Sequence, residues 1–270
     1  MMQKLLTFYR TLNVLSLDIV AGSVVSALFF SRVFQVHIRP YGLLALGLSV
    51  WIIYTVDHLR DARNIAGHAS TERHRFHQKY FMWLLWVVIA AMLVDAVVII
   101  FIRKQVFQWG VGLAGVVMIY LLVQRYLRFM KEIFVAVLYT CGVLLPSLSV
   151  TLTDVAWYHA LLVVQFALVA LINLLMFSWF DRDKDQKDKQ SSFVTMVGER
   201  ATRYTIWSLL LINFTITICL LFRATNFFFA VMLTMNMALM IIFIFRTWAA
   251  HDDRYRLLGD SVFMFPVFCL

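Results

Sequence analysis

Apolar runs of about twenty residues recur along the whole chain, separated by short stretches that hold most of the charge. A helix that crosses a bilayer needs ~20 mostly apolar residues. Nine segments meet or approach that length: 13–31, 40–59, 80–102, 106–124, 132–152, 158–180, 203–222, 226–246 and 259–270. The ninth is short and reads as half-inserted or interfacial. The first run begins with Asn13 and Asp18 and has no small-residue cleavage pattern after it, so it predicts a span and not a cleaved signal peptide. The pattern therefore predicts an all-α integral membrane protein of about nine transmembrane helices, organised as a single domain over residues 1–270.

Composition narrows the class. Of 270 residues, 62% are hydrophobic and 14% charged, whereas soluble domains are about half apolar and about a quarter charged. That excludes a soluble globular protein, a disordered chain and a collagen-like one. Cys141, Cys219 and Cys269 are odd in number and lie in apolar stretches, so no disulfide framework is implied. With 10 Gly and 3 Pro, long linkers are not expected.

Charge then orients the helices. There are 24 Lys+Arg against 15 Asp+Glu, a net charge of +9. On a soluble protein this surplus would suggest nucleic acid as partner. Here 19 of the 24 basic residues fall in the N-terminus and in the loops after spans 2, 4, 6 and 8. The positive-inside rule explains that split without nucleic acid, and it predicts a cytoplasmic N-terminus and an external C-terminus.

The acidic residues are concentrated on the same side. Span 2 ends in Asp57-His-Leu-Arg60-Asp61-Ala-Arg63, and span 6 in Asp181-Arg-Asp183-Lys-Asp185-Gln-Lys187-Asp188. Residues i and i+4 share a helix face, so Asp57 and Asp61 point together, as do Asp181, Asp185 and Asp188, while Asp183 points elsewhere. Paired carboxylates repel and need basic neighbours or a bound cation. Mg2+ suits them, because it takes oxygen ligands and commonly uses one or two carboxylates plus phosphates and waters. The plainer alternative is a solvated, mixed-charge helix end. Two such clusters on one side of a chain with 15 acidic residues weigh against it.

These motifs resemble those of the UbiA superfamily of intramembrane prenyltransferases, whose members have nine transmembrane helices and Asp-rich motifs after the second and sixth. Asp57 and Asp61 match the last two aspartates of the first motif, but Ile53-Tyr54 stand where the family has Asn-Asp. Asp181, Asp185, Ser191-Ser192 and Gly198 match the second motif. Tyr120-Leu-Leu-Val-Gln124-Arg125 matches the end of the fourth helix, with glutamine in place of lysine, and Asn13 matches an asparagine of the first. The resemblance implies a UbiA-like bundle and a Mg2+-dependent transfer of a prenyl group from a prenyl diphosphate to a small lipid-soluble, aromatic acceptor. It implies that Asp57, Asp61, Asp181, Asp185 and Asp188 hold the metal on the cytoplasmic side, with Asn13 in the cavity and Tyr120 and Arg125 near the diphosphate; Asn173 and Phe177, eight and four residues before Asp181, share its helix face, which places Asn173 below the second motif, lining the cavity. Two rival readings remain at this level: a terpene cyclase of the same type that needs no acceptor, and a non-catalytic scaffold or transporter. A transporter should show broken helices at the midplane, and Pro146 is the main interruption of that kind.

Other residues carry lesser expectations. Arg60, Arg63, Arg125, Lys131 and Lys187 flank the motifs and are candidates for diphosphate contact, although topology alone explains their charge. Lys131 and Glu132 read as a local pair. Of the 24 Phe, 10 Tyr and 8 Trp, a few could line an isoprenoid tunnel and shield a cation, while most would pack or face lipid. His58, His68, His74 and His77 lie in or near the first basic loop. His74-x-x-His77 is too small a set for a metal box, and segment 72–77 reads as a cap over the site. Within the spans, Asn13, Asp18, Asp95, Asn173 and Asn213 are costly in lipid and should face the bundle.

Overall fold

The computed structural model describes residues 2–270 except Ala66, 152–154 and 224–226, and it leaves undescribed the side chains of residues 2–7, Arg125, Phe222 and Arg223. The described chain forms helices joined by short loops, with no strand among the described residues. Its helices are α1 (Met2–Val14), α2 (Leu17–Val33), α3 (Pro40–Asn64), α4 (Glu72–Lys79), α5 (Phe81–Val98), α6 (Lys104–Leu127), α7 (Lys131–Leu148), α8 (Trp157–Phe180), α9 (Arg182–Lys187), α10 (Phe193–Val197), α11 (Glu199–Arg223), α12 (Phe227–Ile244), α13 (Arg246–Ala250) and α14 (Arg254–Ser261). A 3-10 helix, Val262–Cys269, follows α14.

Seven of these segments are long and apolar enough to cross a membrane, and α1 with α2 makes an eighth if the bent pair is one span. The count of nine is therefore not reproduced among the described residues, and both departures are at the ends of the chain. The first expected span, 13–31, is broken: α1 and α2 meet at 79°, because Ser16 adopts a left-handed backbone (φ 58°) that no right-handed helix can continue through. The ninth, 259–270, begins earlier than its apolar run, at Arg254, and finishes as the 3-10 helix.

The helices differ in how much they bury. Half of the apolar stretch of α8 is buried, against 11% for α6. The centre is thus α8 with α2 and α12, and α5 and α6 present Trp83, Trp86, Trp109, Met118 and Leu122 outward as a lipid-facing surface. Aromatic rings lock the centre: Phe30 meets Phe166 edge-on at 5.2 Å and Phe29 meets Phe228 at 5.4 Å. In lipid the hydrophobic effect does not drive helices together, so close packing and hydrogen bonds between helices must. Asn213 supplies one such bond, donating to Asn236 across α11 and α12 at 3.2 Å, and Gln165 of α8 donates to Thr217 of α11.

The C-terminal segment is wedged against this centre through two glycines. A Cβ at Gly22 would sit 2.9 Å from Cβ of Phe263, so α2 and the 3-10 helix touch backbone to side chain. A Cβ at Gly259 would fall on Oδ1 of Asn173 and 2.8 Å from Cε1 of Phe177. Gly259→Ala should therefore lower stability by about 1–3 kcal/mol, as overpacking does. Thermal unfolding in detergent measures it, and an unchanged melting temperature would refute the close approach.

Candidate active site

α3, α4, α7, α8 and α14 converge at one end of the bundle around a polar cavity of about 220 Å3. Asp57 and Asp61 on α3 form one part of its wall. Asp181, which follows the last residue of α8, and Asp185 on α9 form another. Asn173 and Phe177 lie eight and four residues before Asp181 on α8 and line the same cavity. Further charged and polar wall comes from Arg73 and His74 of α4, Lys131 and Glu132 of α7, and Arg256 and Asp260 of α14, with His58, Ser178 and Ser192 among the smaller or neutral groups.

Each acidic pair has its own compensation. Asp57 Oδ1 accepts from Gln124 at 2.9 Å, so the glutamine at this position of α6 is a ligand of the aspartate. Lys131 lies 3.4 Å from Asp61 Oδ2. It does not form the expected local pair with Glu132, whose Oε1 instead accepts the N–H of Phe193 at 2.7 Å and pins the chain after α9 to α7. Asp181 is the most heavily engaged: Arg256 Nη2 donates to its Oδ2 at 2.5 Å, Tyr255 donates to its Oδ1 at 2.5 Å, and Lys184 is 3.3 Å away. Burial alone would raise the Asp181 pKa, but Arg256 and Lys184 outweigh it and hold the carboxyl below the usual range. Asp185 has no basic side chain within ion-pair distance among the described residues. Burial pushes it up to about 7, opposed by a hydrogen bond from Ser192 and reinforced by the charge of Asp181. A cation brought to Asp185 would restore its ionised form.

Opposite the carboxylates, a buried cluster joins four helices. Asn13 Nδ2 donates to Asp18 at 2.5 Å and to Asp260 at 2.9 Å, and Arg73 Nη2 donates to the Asn13 carbonyl and side-chain oxygens at 3.1 Å. Asn13 thus lies behind the cavity wall and ties α1, α2, α4 and α14 together. His58 and His77 stack edge-on at 5.2 Å beside Arg73, and His77 Nδ1 bonds the Arg73 carbonyl at 2.8 Å. Burial, then Arg256 and Arg73, lower the His74 pKa to about 4, so its ring is neutral near pH 7. Among the described residues no three His, Cys, Asp or Glu side chains converge to cage a metal. His58 packs against His74 and His77 of α4, the helix that gives Arg73 and His74 to the cavity wall, while His68 is exposed and does not line the cavity.

The remaining expected residues lie elsewhere. Arg60, Arg63 and Lys187 do not line the cavity, and Arg63 and Lys187 are exposed. Asp188 faces away from it and accepts from the Ser70 N–H and hydroxyl at 3.0 and 2.7 Å, holding the loop before α4. The Arg125 side chain lies outside the described residues. Tyr120 lines a second space, an apolar groove of about 330 Å3 between α3, α5, α6 and α7 that shares Tyr54, Asp57, Val135 and Tyr139 with the polar cavity. Arg73, Tyr255, Arg256 and Asp260 belong to no motif of the sequence. For two of them the sequence holds a signal: Arg256 and Asp260 stand one turn apart at the edge of an apolar run, where an unpaired charge would be costly.

No family model matches the sequence, and no curated protein does. Solved structures do. A UbiA homologue from Archaeoglobus fulgidus bound to DMAPP and Mg2+ has a TM-score of 0.63 and 14% identity, over 95% of this chain and 97% of that one. The structure of a UbiA homologue from the same organism bound to GPP and Mg2+ gives 0.64, 14%, 95% and 98%. The apo UbiA homologue of Aeropyrum pernix K1 gives 0.66 at 9% identity, over 93% and 96% of the two chains. At such low identity the likeness speaks to architecture, and over nearly its whole length this chain has the UbiA fold.

Proposed function

We propose that this chain is a divergent member of the UbiA superfamily that transfers a prenyl group from a prenyl diphosphate to a small lipid-soluble acceptor, with Mg2+ as cofactor. One observation carries the reading: two aspartate pairs, Asp57/Asp61 and Asp181/Asp185, line one cavity whose inner side runs into an apolar groove. Such a site can hold a diphosphate at one end and a hydrocarbon at the other. Neighbours of the same fold bind DMAPP or GPP together with Mg2+, which supports it.

The donor set fits the metal. It is all carboxylate oxygen, divided between two elements, and Mg2+ completes its shell with phosphates and waters in place of a closed protein cage. Asp57 and Asp61 would hold one ion and Asp185 a second, each shell completed by phosphate and water, with Asp181 kept ionised beside them by Arg256. Mg2+ supplies charge neutralisation for the departing diphosphate. Arg73, Lys131 and Arg256 add fixed positive charge in a partly buried site, where it is worth more than in water. Tyr54 and Tyr139 line both the cavity and the groove, and Phe177 lines the cavity, so their aromatic faces could shield a cationic allylic carbon. The excess of basic residues in the loops at this end supports a cytoplasmic location for it.

The test is incubation of detergent-purified protein with a panel of prenyl diphosphates, with and without aromatic acceptors and Mg2+, followed by mass spectrometry. Diphosphate and a prenylated acceptor are expected only with Mg2+ present. A terpene hydrocarbon or alcohol formed without acceptor would reassign the protein as a cyclase, and intact substrates under every condition would refute enzymatic function.

A further inference from the structure

The apolar groove contains one polar pair that the transfer reaction does not use. Asp95 of α5 lines it and is buried, with 8% of its surface exposed. Ser49 Oγ donates to Asp95 Oδ2 at 3.0 Å, while Oδ1 is buried without a partner. Ser49 lies eight residues before Asp57 on α3, which places the pair ~12 Å from the diphosphate end by the 1.5 Å rise per residue. Around it the groove is hydrocarbon: Leu46, Val50, Ile99, Val106 and Leu113.

A carboxyl at this depth is expensive, and an oxygen without a hydrogen bond makes it more so. Water is a poor remedy, because an ordered water needs two to four polar partners. The cavity offers it the Ser49–Asp95 pair and otherwise apolar wall at this level. The unmet oxygen is best satisfied by a polar group carried in on an apolar body. A hydroxyl fits the carboxyl in either protonation state, since it both donates and accepts.

We propose that the Ser49–Asp95 pair is a specificity element that reads a hydroxyl group on the ligand of this groove, about two helical turns from the reacting end. The inference rests on the prenyltransfer reading for what fills the groove. The hydroxyl belongs either to the far end of the prenyl chain or to the acceptor, and the two sources are separable.

Binding to the intact protein in detergent, with Mg2+ present, is measured by titration calorimetry in two arms. One compares geranyl diphosphate with its analogue hydroxylated at the far end. The other compares a para-alkylphenol ending in a methyl group with the same phenol ending in a hydroxyl. In one arm the hydroxylated ligand should bind roughly tenfold more tightly, the size of one hydrogen bond to a buried carboxyl, and that arm identifies the source. Asp95→Leu should abolish the preference and leave the affinity for the methyl-ended ligand within about threefold, and Asp95→Asn should restore part of it. No preference in either arm overturns the proposal without need of a variant. So does a preference that survives Asp95→Leu, or an equal loss for both ligands. Both arms read binding, so a protein without transferase activity can still be tested, and prenyl transfer with no hydroxyl preference would sink this inference alone.

Discussion

Asp57→Asn and Asp185→Asn should each lower prenyl transfer by roughly 10²–10³-fold, the loss typical of removing one group that stabilises developing charge. The substitution preserves volume and removes the negative charge that attracts the metal and its diphosphate. The two positions make a stringent pair because they lie on different elements and differ in their protein partners. Asp57 is held by Gln124, whereas Asp185 is held near pKa 7 by burial and has no basic partner among the described residues. Asp185→Asn should leave the melting temperature unchanged or raise it, because it removes a carboxyl that is unfavourable to ionise where it sits. The sign follows from linkage: a carboxyl whose pKa is raised on folding contributes stability at low pH, and that contribution is lost as pH rises from 3.8 through about 7. Activity and stability thus move independently at this site. Full activity in either variant would remove these aspartates from the reaction.

The interior of the fold could be read from the sequence because each apolar run between the two chain ends is long enough to leave no alternative to a span. The ends could not be read in the same way. A single left-handed residue, Ser16, breaks the first span inside an otherwise continuous apolar run. At the other end, residues 252–260 carry five charged side chains, Asp252, Asp253, Arg254, Arg256 and Asp260, and so look like a solvated loop. Two of the five, Arg256 and Asp260, in fact turn inward and pair with residues far away in the sequence. The site divides similarly. Asp57, Asp61, Asp181 and Asp185 announce themselves because i and i+4 on a helix is a local relation. Arg73 and Arg256 do not, since their partners Asn13, Asp260 and Asp181 are brought to them only by packing. Counting basic residues loop by loop gives the side of the membrane and says nothing of which ones turn inward. Arg60, Arg63 and Lys187, closest to the motifs in sequence, are for that reason poorer guides than Arg256.

Arg256→Met should be the most damaging single change outside the carboxylates. The guanidinium donates to Asp181 Oδ2 at 2.5 Å and lies 5.5 Å from the Phe177 ring, so it is both charge partner and packing element. Asp181 is 3% exposed. Stripping the main partner from a buried carboxylate typically costs about 3–5 kcal/mol, and the remaining contacts from Tyr255 and Lys184 place the expected loss near the lower end of that range. Diphosphate affinity should fall as well, since Arg256 lines the cavity. A paired variant separates the two roles. Adding Asp181→Asn to Arg256→Met removes the stranded charge and should recover most of the lost stability, because a neutral amide tolerates burial where a carboxylate does not. It should recover none of the diphosphate binding, which needs the positive charge itself. Thermal unfolding in detergent and calorimetric titration with a prenyl diphosphate read the two quantities on the same samples. If Arg256→Met alone left both unchanged, the Arg256–Asp181 pair would be neither a structural tie of α14 to α8 nor part of the diphosphate site.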